Sequence, residues 1–361
     1  MRLRLKRFLS LLVGFFVLYA LTAQREGWAW GDSAEFQTWI LCERDWICGP
    51  HFSNAHPFYV AFCRLFASTN YGVNLVSSFF GALSVGGLYL CTRRFGLALV
   101  FGLTHMLWWN SCQAEVQTMN LCFTAFETLL LLKFLGDGRW RWFALLVLLN
   151  GIHLEAHNFA LLALPVYAAA FFVHARGRQI GLAIPLLFVW ALGACGWLWA
   201  FATRGAADVL VGNYGAKVAG ILPANMTLTA FNFALAGLSF FAPLTIWWWG
   251  RKGVGRATGE TLLNTRWIVA LAAVNLVFWA RYFVPDQATF LLPTLFFVYL
   301  LVAQVEYGRR RVIALLAMQV LLPLMAWQVL SAIPTPNWKT RHEGRDDAAY
   351  FALPWKIGIA K

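Results

Sequence analysis

Long apolar runs alternate with short polar ones along most of the chain. After a basic start at Arg2, Arg4, Lys6 and Arg7, apolar segments fall at 8–23, 73–91, 95–110, 117–135, 142–156, 157–173, 180–202, 228–249, 267–283, 288–305 and 312–331. Several fall short of the ~20 residues that a helix perpendicular to a bilayer needs. The alternation nevertheless predicts an all-α polytopic membrane protein of about eleven transmembrane helices. The stretch 57–68 is too short to span and carries Arg64 in its middle. It is expected to lie in the membrane interface.

Composition agrees with that pattern. Of the 361 residues, 60% are hydrophobic and only 12% charged, against roughly 25% charged in a soluble domain. Nineteen Trp and ten Tyr suit many helix ends in the headgroup region. The net charge of +13 is scattered in short clusters between apolar runs, a topological signature, and it argues against a nucleic-acid partner. Seven Cys, an odd number, show no zinc-ligand spacing. Cys42 and Cys48 share one loop and could pair if it faces an oxidising compartment.

Orientation follows from the basic residues. With the N-terminus inside and 57–68 in the interface, the inner loops hold 18 of the 29 Lys and Arg. The outer loops hold 6, once the tail after Ile333 is set aside. A spanning 57–68 would reverse this asymmetry, so the interfacial reading is preferred. Twelve of the 16 carboxylates, and most His, then fall outside. Residues 1–333 are expected to form one transmembrane domain, with a first extracytoplasmic loop at 24–72 and a short extracytoplasmic tail at 334–361. The first apolar run has the look of a signal peptide, but Leu21-Thr22-Ala23 is a poor cleavage site and a retained helix is expected.

The first loop is the most polar run in the first third of the chain. Asp32 and Glu35 are three apart, so they neighbour each other on a helix. Helix capping alone accounts for that spacing. It does not account for His56 and Glu115 at other outer helix ends, or for Arg281 and Asp286. His153 and His157 stand four apart in NGIHLEAHN, a spacing open to a divalent metal, but no third ligand is evident and no metal ligands are assigned. Ionisable groups gathered at one membrane depth point to function. Arg281 is suited to pairing with a lipid phosphate.

Four motifs in order resemble a membrane family related to the protein O-mannosyltransferases, of the GT-C class of glycosyltransferases. They are GDSAEF followed by AHPFY in the first loop, Ala114-Glu115-Val116 after a Trp-rich helix end, Gly151 through His157 with Pro165 beyond it, and YFVPDQATFLLP from Tyr282. The likeness covers roughly residues 8 to 300, with Phe58-Tyr59 where the family has Pro-Gly, and Gln117 where Tyr is common. It implies a GT-C-like bundle, a catalytic first-loop acid at Asp32 with Glu35 close by, and a polyprenyl-phosphate sugar as donor.

The expected activity is glycosyl transfer, with mannose a candidate sugar, from that donor to a hydroxyl of an unidentified protein or glycan acceptor. His56, Glu115, His157, Arg281 and Asp286 are the expected substrate-binding residues. The expected setting is a bacterial inner membrane, with membrane lipid as a further partner and the site facing the periplasm or exterior. A transporter or flippase of a lipid-linked glycan, and a scaffold without chemistry, are the alternatives.

Overall fold

The computed structural model describes residues 2–26, 32–43, 45, 52–175, 177–211, 226–250, 265–282, 287–332 and 347–357. Every regular element among them is helical. In order these are α1 (Arg2–Thr22), α2 (Asp32–Leu41), α3 (Phe52–Ala55), α4 (Pro57–Phe66), α5 (Asn70–Thr92), α6 (Phe95–Gly102), α7 (His105–Ser111) and α8 (Val116–Asp137). Then come α9 (Trp140–Ala156), α10 (Ala160–His174), a 3-10 turn at Gly177–Leu182, α11 (Ala183–Gly193) and α12 (Cys195–Arg204). The last helices are α13 (Met226–Gly250), α14 (Thr265–Arg281), α15 (Leu292–Val302), α16 (Arg309–Ala332) and α17 (Asp347–Ala352).

Each predicted apolar segment is mainly helical over its described residues. Among the described residues, five helices are long and apolar enough to cross a membrane: α1, α5, α8, the 232–250 part of α13, and α16. A sixth candidate is the pair 179–193 and 195–204, bent by 80° between them. The segment 95–110 is split into α6 and α7 around Leu103 and Thr104. The short α4 spans only ten residues, roughly 15 Å at 1.5 Å per residue.

The bundle is built around α5. In its most apolar window 78% of residues are buried, against 17% in α1 and α16, which sit at the periphery. Thr69 caps its start by accepting from the Gly72 amide, and Arg93 ends it in a left-handed conformation at φ 60°. It packs against α1, α6, α7 and α8. In lipid, apolar side chains gain little by leaving one apolar medium for another, so close packing and interhelical hydrogen bonds hold helices together. Tyr19 donates to the Gly102 carbonyl (2.6 Å), and Ser78 to the Ser111 carbonyl (2.6 Å).

Helices α9 and α11 approach each other closely. A Cβ on Gly151 would lie 2.3 Å from the Trp190 carbonyl oxygen, and one on Gly193 would lie 2.5 Å from that of Leu148. Two facing glycines let these helices touch backbone to backbone. Just beyond, the Trp197 amide donates to Glu155 Oε1 (2.8 Å), so α9 also fixes the bend into α12.

Candidate active site

The first-loop helices lie over one end of the bundle. Helix α2 buries Ser33, Phe36, Gln37 and Ile40, the i, i+3, i+4, i+7 stripe of an amphipathic helix. Those side chains meet Tyr59, Val60 and Cys63 of α4, together with Val73, Val76 and Phe80 of α5 and Val116 and Met119 of α8. Gln37 donates to Asn74 Oδ1 (3.2 Å), and Asn74 in turn donates to the Gln24 carbonyl (2.9 Å). Asp32 and Glu35 remain on the exposed side, both in the first turn.

A cavity of about 220 Å³ opens beneath this cover. Asp32, His56, Glu115, Gln117 and His157 give it polar walls, and Phe36, Phe159, Phe278, Tyr282 and Phe290 give it aromatic ones. Few polar groups set in an apolar concavity are the ordinary form of a small-molecule site.

Glu115 is buried at the start of α8. Its Oε1 accepts from Ser33 Oγ at 2.9 Å and lies 3.5 Å from Gln113 Nε2. Its amide donates to Ser77 Oγ (2.9 Å), which places the backbone as well as the carboxylate. A carboxylate survives burial only with such donors.

His56 precedes Pro57 at φ 43°, ψ 57°, a left-handed conformation that a non-glycine residue adopts at a cost of order 1 kcal/mol or more. Strain of this kind clusters at functional sites. The conformation stacks the His56 ring on His157 (centroids 4.8 Å apart) and against Phe36 (5.6 Å). His56 Nδ1 lies 2.8 Å from the Ala156 carbonyl oxygen. A carbonyl only accepts, so Nδ1 carries the proton and Nε2 the lone pair. Burial lowers the imidazole pKa to about 4, so the ring is neutral at physiological pH. Glu35 moves the other way: burial, then the nearby Asp32 charge, raise its carboxyl pKa.

Of the residues singled out from sequence, Asp32, His56, Glu115 and His157 line one cavity. Glu35 sits one turn from Asp32 outside the lining, and Arg281 is exposed at the end of α14, next to the lining residue Tyr282. Asp286 and Cys48 lie outside the described residues. Among the described residues no three His, Cys, Asp or Glu gather to hold a metal ion. His153 faces Glu127 and Asn120, each at 2.8 Å, rather than open space. Sequence reading gave no site role to Ser33, to Gln117 or to the other polar residues of α8. Gln117, Asn120, Thr124 and Glu127 recur every three or four positions in an apolar helix, a one-face stripe that was there to be read.

A model of the protein O-mannosyl-transferase TMEM260 N-terminal domain matches residues 95–180. Helices α6 to α10 and the Glu115–His157 side of the cavity fall within that match. Two solved structures of ArnT from Cupriavidus metallidurans share the fold. The one bound to undecaprenyl phosphate aligns with TM-score 0.60 at 14% identity, covering 91% of this chain and 66% of that one. The apo structure gives 0.58, 14%, 91% and 65%. The chain is similar to the protein O-mannosyltransferase family over residues 95–180 and shares the ArnT fold. It spans about two thirds of the length of the ArnT chains it matches. A comparison with curated protein sequences finds no match. The first-loop motifs lie outside the matched 95–180, and the 91% coverage of the fold likeness reaches well beyond it.

Proposed function

We propose that this chain is a GT-C glycosyltransferase that takes a sugar from a polyprenyl-phosphate carrier and passes it to an acceptor hydroxyl on the extracytoplasmic face. The observation that carries the reading is the cavity itself. It joins Asp32 of the first-loop helix to Glu115, His56 and His157 at the ends of α8, α4 and α9. The O-mannosyltransferase match and the ArnT bound to undecaprenyl phosphate supply the carrier chemistry and make mannose the first sugar to try.

In this reading Asp32 takes the proton of the acceptor hydroxyl as its oxygen attacks the anomeric carbon. The bond from that carbon to the phosphate oxygen breaks, and the polyprenyl phosphate leaves with the electron pair. Arg281, exposed at the end of α14, meets the phosphate charge. Glu35 supports Asp32. Glu115, Asp286 and the histidines hold sugar and acceptor. Eleven spans, an inner N-terminus, a transmembrane domain at 1–333 with its first loop at 24–72, and an outer tail complete the arrangement.

A transporter reading draws on the polar residues that continue down α8 to Glu127. They are packed against one another, however, and among these only Gln117 lines the cavity. The test is to incubate the purified protein with polyprenyl-phosphate sugars, mannose first, and measure free lipid phosphate. Release supports transfer, and flux of intact donor across vesicles without release supports the transporter.

A further inference from the structure

A string of buried polar side chains runs from the cavity wall into the middle of α8. His157 Nδ1 lies 3.1 Å from the Phe159 amide nitrogen, and His157 Nε2 lies 3.1 Å from the Gln117 amide group. Gln117 meets Asn120 at 3.0 Å, and Asn120 meets His153 Nε2 at 2.8 Å. His153 Nδ1 is 2.8 Å from Glu127 Oε1. Tyr167 donates to Glu127 Oε2 (2.8 Å), and Asn150 approaches both of its oxygens (3.3 and 3.4 Å).

Donors and acceptors along this string have one consistent assignment. The Phe159 amide can only donate, so His157 Nδ1 must be the lone-pair nitrogen, and in a neutral ring the proton is then on Nε2. With Gln117 Nε2 turned toward His157 Nε2, as the amide is placed, two donors face each other. Side-chain amide nitrogen and oxygen are told apart only by such networks. Exchanging them in both Gln117 and Asn120 pairs every group. His157 Nε2–H donates to the Gln117 oxygen, the Gln117 amide to the Asn120 oxygen, the Asn120 amide to His153 Nε2, and His153 Nδ1–H to Glu127. Every hydrogen bond then points toward the Glu127 carboxylate.

We propose that Glu127, His153, Asn120 and Gln117 are positioning residues that, together with the Phe159 amide, hold His157 as its Nε2–H tautomer, leaving His56 Nε2 as the histidine nitrogen that accepts a substrate hydroxyl. Both His157 nitrogens are consumed inside the protein, so His157 gives the cavity only its ring face, on which His56 stacks. The Ala156 carbonyl holds the proton of His56 on Nδ1, and Nε2 makes no hydrogen bond among the described residues. A neutral acceptor nitrogen beside the Asp32 and Glu115 carboxylates suits a polyhydroxylated ligand such as a sugar. The hydroxyl assignment rests on the glycosyltransferase reading, whereas the tautomer lock does not.

The test is solid-state NMR of the protein with ¹⁵N-labelled histidine in lipid bilayers at neutral pH, with His157 and His56 assigned from His157→Gln and His56→Gln spectra. His157 is expected to show a protonated Nε2 and an unprotonated Nδ1, and His56 the reverse. Asn120→Leu, which cuts the string, releases the Gln117 side-chain amide and should shift the His157 Nε2 resonance, while the Phe159 amide keeps Nδ1 unprotonated and His56 stays as it was. A protonated Nδ1 on His157 in the unaltered protein overturns the proposal, and so does an unchanged His157 spectrum in an inserted Asn120→Leu variant. Mannose added to the unaltered protein should shift the His56 Nε2 resonance, and no shift at saturating sugar removes the hydroxyl assignment. None of these readouts needs turnover. A chain that shows the tautomers but releases no lipid phosphate would end the transferase reading and keep the lock.

Discussion

Ser33 Oγ donates to Glu115 Oε1 at 2.9 Å, across 82 positions of chain. This bond ties the first-loop helix to the start of α8. It places Asp32, the residue before Ser33, at the mouth of a cavity whose wall is Glu115. A local capping role for the loop acids would not require such a tie.

Ser33→Ala is therefore expected to weaken the protein rather than leave it unchanged. A charge-assisted hydrogen bond at a buried carboxylate contributes roughly 2 kcal/mol. The loss should appear as a lower thermal unfolding midpoint in detergent, and as faster proteolysis within 24–72. Unaltered stability and unaltered cleavage would mean that α2 is held by its apolar stripe alone.

Glu35 provides a pH test. Its carboxyl titrates higher in the folded chain than in the unfolded one, first from burial and then from Asp32. Folding therefore takes up protons at this site, and stability falls as pH rises through the folded value. Glu35→Gln removes the penalty. The variant should be more stable than the unaltered chain at pH 7, and the gain should vanish toward pH 3. A gain that persists unchanged at low pH would contradict the electrostatic origin.

The carboxy-terminal segment closes over the other side of Glu115. Tyr350 donates to Gln113 Oε1 (2.6 Å), and Gln113 Nε2 faces the Glu115 carboxylate at 3.5 Å. Lys356 is buried there, its ammonium over the rings of Tyr350 (3.9 Å) and Trp109 (4.3 Å) and bonded to the Tyr350 carbonyl. Burial holds its pKa well below the usual lysine value. The unfolded chain thus binds the extra proton, and stability should rise with pH from the folded value up to about 10.4. Lys356→Met should flatten that slope in a pH series of unfolding midpoints. An unchanged slope would place the titrating group elsewhere.

Much of this was legible in the sequence, because hydropathy reports helices directly when lipid is the solvent. The segment 117–135 became α8 at Val116–Asp137, and 142–156 became α9 at Trp140–Ala156. The break between α11 and α12 was not legible. It arises where Gly193 meets the backbone of α9 and Glu155 accepts from Trp197, contacts between distant positions that leave the apolar run 180–202 uninterrupted. At the site, Asp32, His56, Glu115 and His157 stood out as polar groups at the ends of apolar helices. Ser33 did not, since nothing local marks a serine as the partner of a glutamate 82 residues on. The α8 stripe was missed for a different reason: its mean hydropathy reads as a plain span, and only the three- and four-residue spacing shows the polar face.

The most direct measurement of the central claim compares lipid-phosphate release by the unaltered protein and by Asp32→Asn, with membrane insertion checked in the same preparations. Asn keeps the size of Asp and caps a helix about as well, so a structural role would survive the change. If Asp32 accepts the proton of the acceptor hydroxyl, release should fall by ~10²-fold or more at unchanged insertion. Glu35→Gln, measured beside it, should fall less. Full release by a well-inserted Asp32→Asn protein would contradict the account and shift the catalytic assignment to Glu115 or Asp286.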